Sequence, residues 1–379
     1  MIYLNHAATS WPKPDCVLRA VQEALAAPPA GQHRSSADFS AADAPEHARE
    51  LMAHLLGVEQ PQAVHFTQNA TEAANLLIRG IVGQGGEILA TQAEHNCVLR
   101  PLFNQHSARV RLLPCDENGF VCMEALVRLL TPDTRAVFVN HVSNVTGAIQ
   151  PMAAIGRALH EAGIPLVADV SQSLGCVPVD LEAWHASAAF FTGHKALMGP
   201  QGCGGFYLTP DWPLPPLMYG GNGIDSARLT YDGDAPYEVG TRNSPALAGL
   251  SAGAQWVLDR GVEQIQRHEA QLRQACVKGL QAMEGVTVFG LGSHRDFGPV
   301  VSFQLQGIPS ADVGYMLSAG YGITVRTGLH CAPELHRILG AMDGGTIRVS
   351  FGAQTTMADV SALLTAVQEI LEGVKAACT

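Results

Sequence analysis

Phe190-Phe191-Thr192-Gly193-His194-Lys195-Ala196-Leu197-Met198-Gly199-Pro200, followed by Gly202-Cys203-Gly204-Gly205, is the stretch on which the reading of this chain turns. An apolar run that ends in Thr-Gly-His-Lys reads as a buried strand with one amine just past its end. Desolvation there favours the uncharged amine, a usable nucleophile toward an aldehyde. A lone lysine in such a position is ordinarily a surface residue in a turn, but the preceding segment changes that balance. Ile164-Pro165-Leu166-Val167-Ala168-Asp169 is a short apolar, strand-like run that terminates in a carboxylate, with Ser171, Gln172 and Ser173 turning after it. A strand-end Asp169 and a strand-end Lys195 together suit pyridoxal 5'-phosphate. The carboxylate keeps the pyridine nitrogen protonated, so that the ring acts as an electron sink, and the lysine holds the cofactor as a Schiff base.

The pattern resembles the class V aminotransferase family of fold-type I pyridoxal phosphate enzymes, specifically its cysteine desulfurase and selenocysteine lyase branch. The likeness runs from Tyr3-Leu4-Asn5-His6-Ala7-Ala8-Thr9 to Thr346-Ile347-Arg348-Val349-Ser350-Phe351-Gly352, nearly the whole chain. It implies an α/β fold, with a mostly parallel-sheet large domain that binds the cofactor and a smaller α+β domain. It also implies a homodimer.

Composition agrees with that architecture. At 379 residues the chain is too long for one small core, and 47% hydrophobic residues is ample for one large and one smaller domain. A net charge of −11, with no dense Lys/Arg block, argues against nucleic acid or an anionic membrane as partner. Nine cysteines without Cys-x-x-Cys spacing, in a chain that opens with no basic-then-apolar leader, read as reduced thiols in a cytoplasmic protein. No apolar stretch reaches the ~20 residues of a membrane helix. Fifteen histidines prompt a metal hydrolase as a rival, yet no His-Glu-x-x-His or comparable ligand spacing occurs, and no metal is expected.

Along the chain, strand and helix patterns alternate. Helices are expected over 17–25 and 41–56, the second stopped by Gly57, and a short strand over 63–66. Thr67-Gln68-Asn69-Ala70-Thr71-Glu72 then opens a helix, which puts backbone N–H groups at a positive helix end, a natural phosphate site. Taken alone, Thr71 with Glu72 reads as nothing more than an N-cap with favourable first-turn charge. Strands follow over 86–90, 110–113 and 136–140, with a helix over 123–130. Such repetition points to a largely parallel sheet with ligands at the carboxyl ends of its strands. His95 in Glu94-His95-Asn96 and Asn144 in Ser143-Asn144-Val145-Thr146-Gly147 both fall at such ends. An imidazole there can stack on a pyridine ring and move protons.

The family resemblance assigns roles to these positions. It places His95 over the cofactor ring, Asn69, Ala70 and Thr71 in the phosphate cup with Thr192 and His194, and Asn144 and Gln172 near the phenolic oxygen. Ala7, in the N-terminal arm, lies on the substrate side.

From 210 to 236 the chain is rich in Pro and Gly, with Gly220-Gly221-Asn222-Gly223 at its middle, and reads as a long functional loop. It leads to Glu238-Val239-Gly240-Thr241-Arg242-Asn243, where the family usually carries Glu-x-Gly-Thr-Pro-Asn. The resemblance assigns Thr241 to the phosphate of the neighbouring subunit, with Arg242 standing where a proline is usual. A long helical region over 246–283, broken near Gly261, precedes strands over 286–289, 300–305, 323–326 and 346–350 and helices over 311–319 and 357–374. The expected division is 15–250 for the large domain, and 1–14 plus 251–379 for the small one with its arm.

A second reactive centre lies in Val325-Arg326-Thr327-Gly328-Leu329-His330-Cys331-Ala332-Pro333. Most free cysteines are small buried hydrophobes. Cys331 instead follows a strand in a Gly-containing loop beside His330 and near Arg326, a setting that favours thiolate. The motif is similar to the short-loop desulfurase sequence Arg-Thr-Gly-His-His-Cys-Ala, with Leu329 in place of its first histidine. Arg348 matches the arginine that holds the substrate carboxylate, a task suited to a guanidinium fork.

The resemblance implies a catalytic set of Lys195, Cys331 and His95. L-Cysteine displaces Lys195 from the cofactor, Lys195 removes the Cα proton, and Cys331 attacks the substrate sulfur, leaving a persulfide and releasing L-alanine. The sulfur then passes to an acceptor protein or a small thiol. Rivals are a selenocysteine lyase acting on L-selenocysteine, a desulfinase, an aminotransferase or an epimerase on the same scaffold, and a non-catalytic sulfur-trafficking scaffold.

Overall fold

A computed structural model of the chain describes residues 1–27, 44–221, 226–233, 235–292 and 296–377. The expected helix positions 41–43 and the loop residues 222–225 lie outside the described residues. Strand β1 (Ile2–Tyr3) belongs to the N-terminal arm, followed by helices α1 (Asp15–Ala26) and α2 (Ala44–Leu56). The central sheet has seven strands: β2 (Val64–Thr67), β3 (Glu87–Thr91), β4 (Arg109–Leu113), β5 (Thr134–Asn140), β6 (Leu166–Asp169), β7 (Ala186–Thr192) and β8 (Gly204–Leu208), in the order β2-β8-β7-β6-β5-β3-β4. Strands β3 to β7 pair in parallel, and β8 runs antiparallel between β7 and β2.

The strands read as continuous apolar runs because both faces are covered. Along β5, Val137 and Val139 enter one core with Leu89, Ala168 and Phe191, while Ala136 and Phe138 enter the opposite core with Ile88, Val167 and Phe190. That two-residue alternation sends α3 (Ala70–Val82) and α4 (Asn96–Phe103) to one face of the sheet. It sends α2, α5 (Met123–Leu129), α6 (Met152–Glu161) and α7 (Ser244–Arg260) to the other. The glycine-rich tail of the decisive stretch is itself part of β8. A Cβ at Gly205 would run into the His65 carbonyl and the Phe191 ring, so only glycine allows β8 between its neighbours.

A second, antiparallel sheet is built from β9 (Val286–Phe289), β10 (Val300–Leu305), β12 (Arg326–Gly328) and β13 (Thr346–Ser350), in the order β12-β13-β10-β9. Helices α8 (Val262–Gln281), α9 (Ser310–Tyr321) and α11 (Met357–Ala377) pack on it around Leu272, Phe303, Val313, Ile347 and Val367. The short α10 (Pro333–Ile338) follows the Cys331 loop. Gly261 at φ 78° separates α7 from α8, and α7 contributes Leu247, Leu250 and Val257 to the core of the seven-stranded sheet.

The single strand expected over 323–326 is two. β11 (Ile323–Thr324) pairs in parallel with β1, and Arg326 begins β12 on β13. The chain switches sheets at Val325, and the N-terminal arm is thereby stitched to this second sheet. Asn5 extends the contact with a bridge to Ser350.

Candidate active site

A cavity of about 220 Å³ opens at the carboxyl ends of β5, β6 and β7. Of the residues expected at the site, Ala7, Asn69, Ala70, Thr71, His95, Asn144, Asp169, Gln172, Thr192, His194, Lys195 and Arg348 line it; Thr241 and Cys331 do not.

One end of the cavity is an anion cradle. Asn69, and not Thr71, is the N-cap of α3: its Oδ1 accepts from the Glu72 amide at 2.9 Å, while Glu72 Oε2 accepts from the Gln68 amide at 2.7 Å. These two bonds, a variant of the capping box in which Glu72 reaches the residue before the N-cap, hold the turn in place. They consume the Glu72 amide and leave those of Ala70 and Thr71 as helix-end donors facing the cavity. Across from them Thr192 Oγ1 and His194 Nδ1 are buried with no hydrogen-bond partner among the described residues. Buried polar atoms are rarely left so, and a set of them around one void marks the place of a polar ligand.

At the other end sits Asp169, the last residue of β6, whose Oδ1 accepts from the Ser171 amide at 2.8 Å. Burial raises its pKa, opposed by the Ser171 hydrogen bonds and by the Lys195 ammonium. Lys195 moves the opposite way: burial lowers its pKa, and Asp169 opposes the fall. The amine is thus easier to deprotonate than an exposed lysine, as its chemistry requires. His95 caps α4, its Nδ1 accepting from the Cys97 amide at 3.0 Å, which assigns the proton to Nε2. Burial, then Lys195 and Arg326, push its pKa to about 3, so the ring is neutral. Gln172 Nε2 donates to the Ala7 carbonyl at 3.0 Å and ties the arm to the cavity rim.

The substrate side holds a pairing that the one-dimensional pattern hides. Arg326 and Arg348 are directly opposite cross-strand partners on β12 and β13, and both line the cavity. Like charges so placed repel. Arg348 is fully buried, donating to the Asn144 carbonyl at 3.0 Å and to Asn5 Oδ1 at 3.2 Å, yet its Nε has no partner. Burial and the Arg326 charge lower its pKa to about 9. Among the described residues no carboxylate pairs with either guanidinium. Two cations converging on one void with no carboxylate of the chain beside them are suited to receive an anion. Arg326 figured in the sequence only as a neighbour of Cys331; its place in the cavity follows from the β12–β13 register.

Cys331 stands behind Arg326, its Sγ 3.3 Å from Nη2. His330 and Cys331 both adopt left-handed backbone, φ 48° and 60°, which side chains other than glycine seldom do. The surroundings enforce it. Asn144 Nδ2 donates to the His330 carbonyl at 2.6 Å and the Asn96 amide to the Cys331 carbonyl at 2.7 Å, so the large-sheet residues clamp the loop at two successive carbonyls. His330 points away to Thr346 Oγ1, 2.9 Å distant, and burial lowers its pKa to about 2.

Thr241 is exposed and stands on a segment anchored by Glu238. Glu238 Oε1 lies 2.9 Å from Arg49 Nη1 and Oε2 lies 3.0 Å from Arg242 Nε, so the arginine at the usual proline position completes an ion-pair cluster.

The chain matches the family model described as Aminotransferase class-V over residues 2–363, and it belongs to that family. It is 32% identical to a probable cysteine desulfurase of Mycobacterium leprae, over 98% of this chain and 92% of that protein. A probable cysteine desulfurase of Vibrio cholerae is 30% identical over 98% and 94%. Among solved structures, the apo cysteine desulfurase of Thermococcus onnurineus superposes with a TM-score of 0.89 at 28% identity, covering 98% of this chain and 95% of that one. The Escherichia coli cysteine desulfurase CsdA does so with 0.87 at 29%, covering 98% and 94%.

Proposed function

We propose that the chain is a pyridoxal phosphate-dependent cysteine desulfurase, converting L-cysteine to L-alanine and leaving the sulfur as a persulfide on Cys331. The observation that carries this reading is the placement of a thiol next to a two-arginine carboxylate site in a cavity that already holds Lys195 and Asp169. The residues present fit the cofactor. The orphaned Thr192 Oγ1 and His194 Nδ1 and the α3 amides suit its phosphate, Asp169 its ring nitrogen, and Lys195 its aldehyde. When bound, the cofactor supplies an electron sink for the Cα–H bond of the amino acid.

The chain's own groups do the rest. Arg348 and Arg326 hold the α-carboxylate, which fixes the Cα–H bond relative to Lys195. Lys195, with its amine pKa lowered by burial, takes that proton. Neutral His95, which lines the cavity with its proton on Nε2, would hold the cofactor ring from one side and could offer that N–H as a donor. Cys331 thiolate attacks the substrate Sγ, the C–S bond breaks, and carbon regains a proton: one L-cysteine and one thiol give one L-alanine and one persulfide.

Belonging to the same reading are a homodimer in which the Glu238-anchored segment carries Thr241 to the partner's phosphate, and a reducing, cytoplasmic setting. The eight described cysteines are free, and no described helix is long and apolar enough to cross a membrane. The persulfide passes to an acceptor protein or small thiol.

Alanine release from L-cysteine by the holoenzyme and by Cys331→Ala, with and without a thiol acceptor, tests the reading. Release that requires Cys331 is expected. Equal activity of the variant overturns the persulfide step. Activity on L-selenocysteine alone, surviving in Cys331→Ala, assigns the chain to selenium instead, a shift to which Leu329 in place of the usual histidine would contribute.

A further inference from the structure

Glu94, just beyond the end of β3, has no part in the site described so far. Its side chain is fully buried. Oε1 accepts from Thr91 Oγ1 at 2.8 Å and from the Asn140 amide at 2.7 Å, while Oε2 has no partner among the described residues. Asn140 is the ladder partner of Asp169 on the neighbouring strand. The two carboxyls therefore sit at one level of the sheet end, Asp169 in the cavity wall and Glu94 behind it.

The ionisable groups that interact with Glu94 are Asp169 on β6, Cys97 on α4 and Cys115 just after β4. All three are anionic when charged, so none rewards ionisation of Glu94. Burial and then Asp169 push its pKa up to about 8, against the two hydrogen bonds that oppose the shift. A fully buried carboxyl that receives two hydrogen bonds on one oxygen and has no cation among its ionisable neighbours gains too little from ionising to offset its lost hydration, so it keeps its proton.

We propose that Glu94 is a positioning residue that works through Asp169: it stays an uncharged acid behind the cavity wall, leaves Asp169 the single anion facing the cofactor's ring nitrogen, and on ionising in alkaline solution adds a second negative charge that tightens the hold on the ring proton. This rests on the reading that the cavity takes pyridoxal phosphate. The arrangement lets one residue tune the ring nitrogen without touching it. Two fixed carboxylates at neutral pH would repel one another in a site with little water to screen them.

The test compares wild-type holoenzyme with Glu94→Gln, which keeps the acceptor for Thr91 and Asn140 but cannot ionise. Infrared difference spectra at neutral pH read the protonated carboxylic C=O band, with Glu269→Gln identifying the contribution of Glu269, another fully buried acid. The visible absorption of the bound cofactor is titrated in parallel. The expected result is a carboxylic band in the wild type that Glu94→Gln lacks, and a step in the wild-type absorption with its midpoint near 8 that is missing from the variant. Cofactor affinity at neutral pH should agree to within about twofold, since no charge changes there.

A wild type without the carboxylic band, or absorption titrations that superimpose, overturns the proposal. Should Glu94→Gln fail to fold, the wild-type infrared titration decides alone: loss of the band in step with the absorption change upholds the coupling, and loss without it refutes it. A wild type with no cofactor absorption at all overturns the cofactor reading as well, which is a distinguishable outcome.

Discussion

Arg326 Nη2 lies 3.3 Å from Cys331 Sγ and the same guanidinium faces Arg348 across the β12–β13 ladder. One side chain thus contacts the Cys331 thiol and faces the buried Arg348. A bound amino acid would neutralise the paired arginines and at the same time bring its own sulfur toward the thiol. Loss of Arg326 is expected to affect both functions. Arg326→Ala should slow alkylation of Cys331 by iodoacetamide at neutral pH about tenfold, since the thiolate loses its neighbouring cation, and Arg326→Lys should restore part of that rate. Equal alkylation rates in all three proteins would show that the contact does not activate the thiol.

Arg348 is fully buried, its Nη atoms held by the Asn144 carbonyl and Asn5 Oδ1 and its Nε without a partner among the described residues. Arg348→Lys keeps a charge but loses the two-pronged geometry. KM for L-cysteine should rise roughly 10- to 100-fold with a smaller change in kcat, as expected when a charged bidentate contact worth about 1.5–3 kcal/mol is lost. Steady-state kinetics decide: an unchanged KM places the carboxylate elsewhere.

Glu238 sits between two arginines, one of them buried, and also accepts from the Phe66 amide at 3.1 Å. Glu238→Ala leaves Arg49 with the half-exposed Glu46 as its only carboxylate among the described residues, beside the Val64 carbonyl. Removing the buried carboxylate of such a pair costs ~3 kcal/mol, so thermal unfolding should shift several degrees downward. Because Thr241 hangs on the same segment, the variant should also release pyridoxal phosphate more readily, which dialysis followed by absorbance measures.

Stability should peak near neutral pH. His6, His65 and His194, with pKa lowered to about 4, His95 and His141, to about 3, and His330, to about 2, are neutral in the folded chain. Below their ordinary 6.5 the unfolded chain binds protons that the folded chain refuses, so stability falls as pH drops. Glu94 and Glu269 act oppositely: with raised folded-state pKa they keep protons that the unfolded chain loses, and stability falls as pH climbs above ~4.5. Around pH 5.5 these histidines outnumber the two acids, so stability rises with pH there. Above about pH 7 the histidines drop out and the acids alone remain. Chemical denaturation across that range should show a maximum near 6.5; a monotonic rise to pH 9 would contradict it.

Much of the lining of the candidate site was legible because strand-end chemistry is local. An apolar run ending in Asp169, another ending before Lys195, and a polar turn opening α3 each carry their meaning within a few residues, and a parallel sheet collects such ends on one edge. The breaks at Gly57 and Gly261 could be read for the same reason, since backbone at positive φ suits glycine.

What the amino-acid order determined by itself was the alternation of elements, the family and the chemical identity of the reacting groups. Tertiary structure alone decided which distant residues meet. The split of 323–326 between two sheets, the strand made from Gly204 and Gly205, the facing of Arg326 and Arg348, the withdrawal of Cys331 behind Arg326 and the shelter of Glu94 beside Asp169 all depend on the register and burial of segments far apart in the chain. Periodicity tells which face a side chain takes, but it carries no information on what lies opposite. The charge state of a buried carboxyl or guanidinium is set by that neighbour and by the water both have lost.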